Sequence, residues 1–144
     1  MVIAILGSFL MALIVIAFHY YSLRAVTFLS QQFNKGFKRN FTVVACIFFI
    51  HCIEIAWFAF DLYLAYEVLG LRGFENTFTK NAQAYLHLSA SSFTTLGAFS
   101  SSPTGNIALI LDMISLTGFT MLTWSATHYY SIFSRKNYAE DLKQ

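Results

Sequence analysis

Ser92-Phe93-Thr94-Thr95-Leu96-Gly97-Ala98-Phe99 is the stretch whose reading decides the fold. It is a short polar run inside an otherwise membrane-grade sequence, and the last long apolar block begins soon after it. A run of this kind is either a surface loop or irregular backbone held at membrane depth. The second option is tolerated only where the backbone is buried in protein or lines water.

The rest of the chain sets the terms of that choice. Hydrophobic residues make up 57% of it and charged residues 11%, against roughly 25% charged in a soluble domain. Three apolar blocks stand out, at about 1–22, 41–70 and 106–133. Each exceeds the ~20 residues a helix needs to cross a bilayer. The first spans about 33 Å as a helix, and the second is long enough to tilt or project. With no basic residue ahead of its apolar run and no small-residue cleavage site after it, the first block reads as a retained helix. The expected architecture is an all-α membrane protein. Three transmembrane helices form one membrane domain, with a short re-entrant helix between the second and third.

Basic residues set the expected orientation. The 23–40 segment carries Arg24, Lys35, Lys38 and Arg39 with no acid, and the 134–144 tail adds Arg135, Lys136 and Lys143, partly offset by Glu140 and Asp141. The 71–105 segment has only Arg72 and Lys80. The positive-inside rule then places the N-terminus outside and the C-terminus in the cytoplasm. The net charge of +2 follows from this asymmetry and calls for no nucleic-acid partner. Trp57 and Trp124 fall within spans, and His-Tyr-Tyr-Ser occurs at 19–22 and again at 128–131. These tyrosines read as an interfacial aromatic belt.

The 71–105 segment starts and finishes on the same side. Residues 81–93 show helical spacing, with Ala82, Tyr85, Leu86 or Leu88, and Phe93 on one face. Asn76, Thr77 and Thr79 are candidate caps. At nine to thirteen residues this helix cannot cross a bilayer. The Ser/Thr/Gly-rich chain after it runs to Pro103, which resists helix on both sides. If the helix points inward, the negative end of its dipole faces mid-membrane and favours a cation there. An extracellular loop bearing a surface helix is the alternative.

Span, short helix, Thr-Thr-x-Gly, polar loop and span, in that order, resemble the pore domain of potassium channels. The likeness is greatest to small bacterial members with an added N-terminal span. In these the helix before the loop carries His-x-x-Glu-x-x-Trp, matched by His51, Glu54 and Trp57; the helix after it carries Gly and Trp-Ser, matched by Gly118 and Trp124-Ser125. The resemblance covers roughly 41–133. It implies a homotetramer in a bacterial inner membrane, passive conduction of a monovalent cation, an ion pathway at Thr94, Thr95, Leu96, Gly97, Ala98 and Phe99, and a hinge at Gly118.

The departures lie in the outer half of the filter. Ala98 stands in place of the bracing tyrosine, Phe99 in place of the second glycine, and Ser100 in place of the acid. A bulky residue in a left-handed conformation costs about 1–2 kcal/mol, or about 4–8 kcal/mol for a ring of four. Thr95 keeps hydroxyl and carbonyl oxygens for an ion, as Leu96 and Gly97 keep carbonyls. Weak or altered selectivity is the expectation. The alternative is a non-conducting relative that serves as an accessory or structural subunit of a larger membrane complex.

Ionisable residues within spans point to function by default. His51, Glu54 and Asp61 share one helical stripe, and Asp112 lies in the outer half of the third span. An Asp at mid-span costs about 2.5–3.5 kcal/mol on insertion scales, so the stripe should face protein. It reads first as a buried network tying the helices together, and second as an ion or proton path. Cys46 and Cys52 match no metal or redox spacing and read as core thiols. His19 and His128 could share one depth and ligate haem, but no other motif supports that. Nucleophile–base sets, phosphate loops and metalloprotease motifs do not occur in the sequence, so no enzymatic activity is expected.

Overall fold

A computed structural model describes residues 2–33, 36–74, 80–98 and 103–141. The chain is all-α among these residues: α1 (Val2–Gln32), α2 (Phe37–Tyr63, continued by a π-helical turn at Leu64–Val68), α3 (Ala82–Phe93) and α4 (Gly105–Asp141). Stretches of α1, of α2 with its π turn, and of α4 are each long and apolar enough to cross a membrane. Their outer faces carry exposed Leu6, Phe9, Leu10, Phe48, Phe49, Leu116 and Phe119. Such a surface suits lipid, and the chain is a membrane protein.

The inner faces are the more polar ones. On α1 the buried residues recur at three- and four-residue steps: Ser8, Ala12, Val15, His19, Leu23, Val26 and Ser30. Small side chains on that stripe let α1 lie close against α2 and α4, which matters where lipid supplies no hydrophobic drive between helices. The α2 stripe carries Val43, Ile50, Glu54, Phe58, Asp61 and Leu62. The α4 stripe carries Ile107, Ile110, Ile114, Thr117, Met121 and Ser125.

Helices α1 and α4 outrun the apolar blocks that announce them. α1 continues ten residues past Ser22, because Leu23, Val26 and Ser30 keep the inward stripe going and no Gly or Pro intervenes before Gly36. Arg24 marks a change of polarity there without ending the helix.

Helix α3 is wedged between α2 and α4. Asn81 caps it, its side chain accepting from the Ala84 N–H at 2.7 Å. Of the caps expected from sequence, Asn76, Thr77 and Thr79 lie outside the described residues. Near its start the Tyr85 hydroxyl donates to Glu67 at 2.8 Å. Midway, the Ser89 hydroxyl donates to the Ile55 carbonyl at 2.7 Å. At its end Phe93 is fully buried, with its ring 5.6 Å from His51 and 6.2 Å from Phe58. Its backbone presses on Gly118, where a Cβ would overlap the Phe93 carbonyl. His51 and Gly118 each sit near the middle of their helices, so α3 ends at the mid-height of the bundle. The excursion closes where the Thr104 N–H donates to the Gly73 carbonyl at 2.7 Å.

Candidate functional site

The chain leaves α3 through a tight reversal. The Thr95 N–H donates to Ser92 O at 2.9 Å and the Leu96 N–H to Ser91 O at 3.0 Å. This is the paired-bond helix stop that needs a left-handed residue at its turn. Thr95 takes that role with φ of +59°. Glycine usually fills such a position, and a β-branched residue there is a genuine outlier. Gly97 follows with φ of +62°. The chain then climbs back along α3: the Ala98 N–H donates to the Ser91 hydroxyl at 2.8 Å, and the Ala98 carbonyl lies 3.1 Å from His87 Nε2.

Thr94, Thr95, Leu96, Gly97 and Ala98 are all exposed, Leu96 by 75%. The carbonyls of Thr94, Thr95, Leu96 and Gly97 accept no hydrogen bond from the described residues. The Thr95 hydroxyl is likewise unengaged, whereas that of Thr94 donates to Ala90 O at 2.7 Å. Ala98 differs from its neighbours, since its carbonyl faces a histidine nitrogen. Phe99, the last member of the expected pathway, lies outside the described residues.

A second cluster sits at the level of the α3 tip. Glu54, fully buried, takes His19 Nδ1 on one carboxylate oxygen at 2.7 Å and His51 Nδ1 on the other at 2.8 Å. Ser125 Oγ closes the ring from α4, 3.3 Å from His19 Nε2 and 3.2 Å from His51 Nε2. The imidazoles stack with centroids 5.5 Å apart, and Trp124 packs 5.6 Å from His19.

Donor counting constrains the charge of this ring. An ionised carboxylate only accepts, so both Nδ1 atoms carry hydrogen and two neutral imidazoles would present Nε2 as acceptors. Ser125 has one hydrogen and can satisfy one of them. With a single imidazolium, one Nε2–H donates to Ser125, Ser125 donates to the other ring, and every bond is made. That state also cancels the charge of Glu54. Two histidines and a carboxylate, with one ligand atom each within 4.8 Å of the others, are also a donor set suited to a zinc-type ion. The hydrogen bonds use the same atoms.

The two other intramembrane acids belong elsewhere. Asp61 is buried two turns further along α2 with the Ser8 hydroxyl beside it, yet neither its Oδ2 nor Ser8 Oγ makes a well-formed hydrogen bond among the described residues. Asp112 is exposed and stands apart from the ring, thirteen residues before Ser125 and so about 20 Å along α4. It lines a cleft of about 320 Å³ with Ser92, Thr95, Gly97 and Ser115. Asp61 and Asp112 thus stand apart from the Glu54 ring: helix rise, not sequence polarity, decides which acids meet. Gly118 lies within an unbroken helix and serves close approach to α3. The expected haem pair is engaged separately. His19 faces Glu54 and Ser125, while His128 Nε2 lies 2.8 Å from Thr27 Oγ1 and 3.2 Å from Leu23 O. Cys46 and Cys52 are free thiols, but Cys46 is only half-buried and Cys52 is exposed, so neither is the core residue expected from sequence.

Sequence reasoning missed the pairing of His19 with Glu54 and the bridging role of Ser125. The available signal was that His19 is the sole Asp, Glu, Lys, Arg or His in the first apolar block. Set against protein-family models, curated proteins and solved structures, the chain matches none.

Proposed function

We propose that this protein forms a homotetrameric, potassium-channel-like pore that passes monovalent cations with weak selectivity. Helix α3 acts as the re-entrant element, and the basic 23–40 and 134–144 segments face the cytoplasm. The observation that carries this reading is the row of exposed, unpaired carbonyls from Thr94 to Gly97, beginning at mid-height of three membrane helices. Such groups cannot face lipid, where each unsatisfied polar group costs several kcal/mol. Copies of the same segment around an axis would turn them toward ions and water, which replaces hydrogen bonding by coordination. The α3 dipole adds negative potential at the same point.

A second reading, a channel fold that does not conduct, is favoured by Ala98. Its carbonyl is turned to His87, which withdraws one oxygen from the row. Ion flux into liposomes separates the two. The native chain is expected to pass both potassium and sodium with a small preference for potassium. Ala98→Tyr with Phe99→Gly should sharpen that preference. Flux from the rebuilt protein alone would support the non-conducting reading. Strong potassium selectivity in the native chain would refute the altered filter, and cysteines at Gly97 that never crosslink between copies would refute the shared axis.

A further inference from the structure

At the end of the bundle away from α3, helices α1, α2 and α4 leave a cavity of about 500 Å³, lined by Thr27, Ser30, Gln31, Arg39, His128 and Ser131. Arg39 is only 6% exposed. Its guanidinium lies over the Phe133 ring, 4.8 Å from the centroid. It makes no hydrogen bond or ion pair with any described residue, and its Nε is buried without a partner.

Among the described residues nothing neutralises this cation. The 23–40 segment contains no acid. The first turn of α2 has no acidic residue, and Gly36 supplies no side-chain cap, so the positive end of the helix dipole adds to the charge. The nearby hydroxyl hydrogens are already committed: Thr27 donates to Leu23 O, Ser30 to Thr27 O and Ser131 to His128 O. Those oxygens can still accept. Arginine does not shed its proton as a buried lysine can, and no described residue offers it an anion, so the site calls for an anion from outside these residues. A planar guanidinium fork matches phosphate oxygens two at a time. Exposed Arg24 and Lys38 lie on the adjoining helix segments, as expected where the bundle meets lipid headgroups. Basic pockets between membrane helices at this level take acidic headgroups.

We propose that this cavity binds a phosphate group through Arg39, supplied by the headgroup of an anionic phospholipid, with the hydroxyl oxygens accepting from headgroup hydroxyls. The site is independent of conduction, and a non-conducting bundle would carry it equally.

The test is thermal melting of the full chain in detergent with added phosphatidylglycerol, phosphatidylcholine or inorganic phosphate. Phosphatidylglycerol should raise the wild-type midpoint by about 3–6 °C at saturating lipid, and phosphatidylcholine should not. Lys38→Gln should keep the response. Arg39→Gln should lose it, with affinity down at least about tenfold, because charge-assisted phosphate contacts are the strong ones. Without lipid, Arg39→Gln should melt at or above wild type, since it removes an unpaired charge; a purely structural arginine would do the reverse. A rise with inorganic phosphate alone would keep the phosphate site and assign it to a soluble ligand. Equal responses of wild type and Arg39→Gln, or no wild-type response to lipid or phosphate, would overturn the proposal. If Arg39→Gln does not fold, two readouts remain. Arg39→Lys should keep a weakened response, and native mass spectrometry of wild type should retain phosphatidylglycerol over phosphatidylcholine. An undiminished response in the first or no preference in the second overturns it.

Discussion

Thr95→Gly should stabilise the protein and impair it at once. Thr95 sits at φ of +59° in the reversal that ends α3. A left-handed L-residue costs about 1–2 kcal/mol. Glycine removes that strain but gives the unfolded chain more freedom, a loss of about 0.4–1 kcal/mol. Thr95 is exposed and its hydroxyl is unengaged, so little packing is forfeited. The net gain is about 0.5–1 kcal/mol per chain, or about 1–4 °C in the melting midpoint. Thr95→Ala and Thr95→Ser are the controls. Both keep a Cβ in the left-handed region, and neither should gain more than about 0.5 kcal/mol. Melting in detergent gives the first readout and liposome flux the second. Glycine and alanine remove the hydroxyl and should slow flux, while serine should preserve it. In the proposed pore Thr95 would contact the permeating ion, and strain retained at such a residue is the pattern expected of functional sites. If glycine were no more stable than alanine, the strain argument would be wrong. If glycine raised stability and flux together, the strain would have no link to conduction.

Other expectations follow from the ring and from the seating of α3. Glu54→Leu leaves two imidazole N–H groups without an acceptor and should cost about 3–5 kcal/mol, whereas Glu54→Gln keeps one acceptor and should be milder; melting of both variants beside wild type checks this, and equal stability of all three would contradict it. Gly118→Ala drives a methyl into the Phe93 carbonyl and should cost about 1–3 kcal/mol, visible as a lower melting midpoint and faster proteolysis of the 71–105 segment. Burial, then the neighbouring Glu67 carboxylate, pushes the Tyr85 phenol above its ordinary range. Because the folded value is raised, this contribution is fully present below about pH 10 and is lost as pH rises through the folded value. Wild type should therefore exceed Tyr85→Phe by about 0.5–1.5 kcal/mol at neutral pH, and a stability–pH profile should show the gap closing above about pH 10.

The fold was legible where composition speaks for itself. Three apolar blocks and a short amphipathic stretch between the second and third were plain in the sequence, and the helix expected at 81–93 occupies Ala82–Phe93 behind its Asn81 cap. Helix ends were not legible, because a change of polarity at Arg24 looks like a boundary while the backbone continues to Gln32. The His51–Glu54 contact follows from a three-residue spacing on one helix. The contacts of His19 and Ser125 with it cross 35 to 106 residues of chain, and no local periodicity encodes which helices become neighbours. Asp112 and Ala98 teach the same lesson: what each one faces is set by depth along α4 and by the climb of the chain back over α3.

The ring at Glu54 also has a history in time. His19 and Ser125 are 106 residues apart, so at ordinary rates of synthesis about 5–20 s pass between the emergence of one and of the other. During that interval α1 and α2 can pair through His19 and Glu54, yet both Nε2 positions lack the hydroxyl that joins them. The newborn hairpin therefore waits in the bilayer with one unclosed polar edge. Ser125 completes that hydrogen-bond circuit, and a helix without a group that both donates and accepts at this height would leave it open. Packing of α4 is the step that closes the ring.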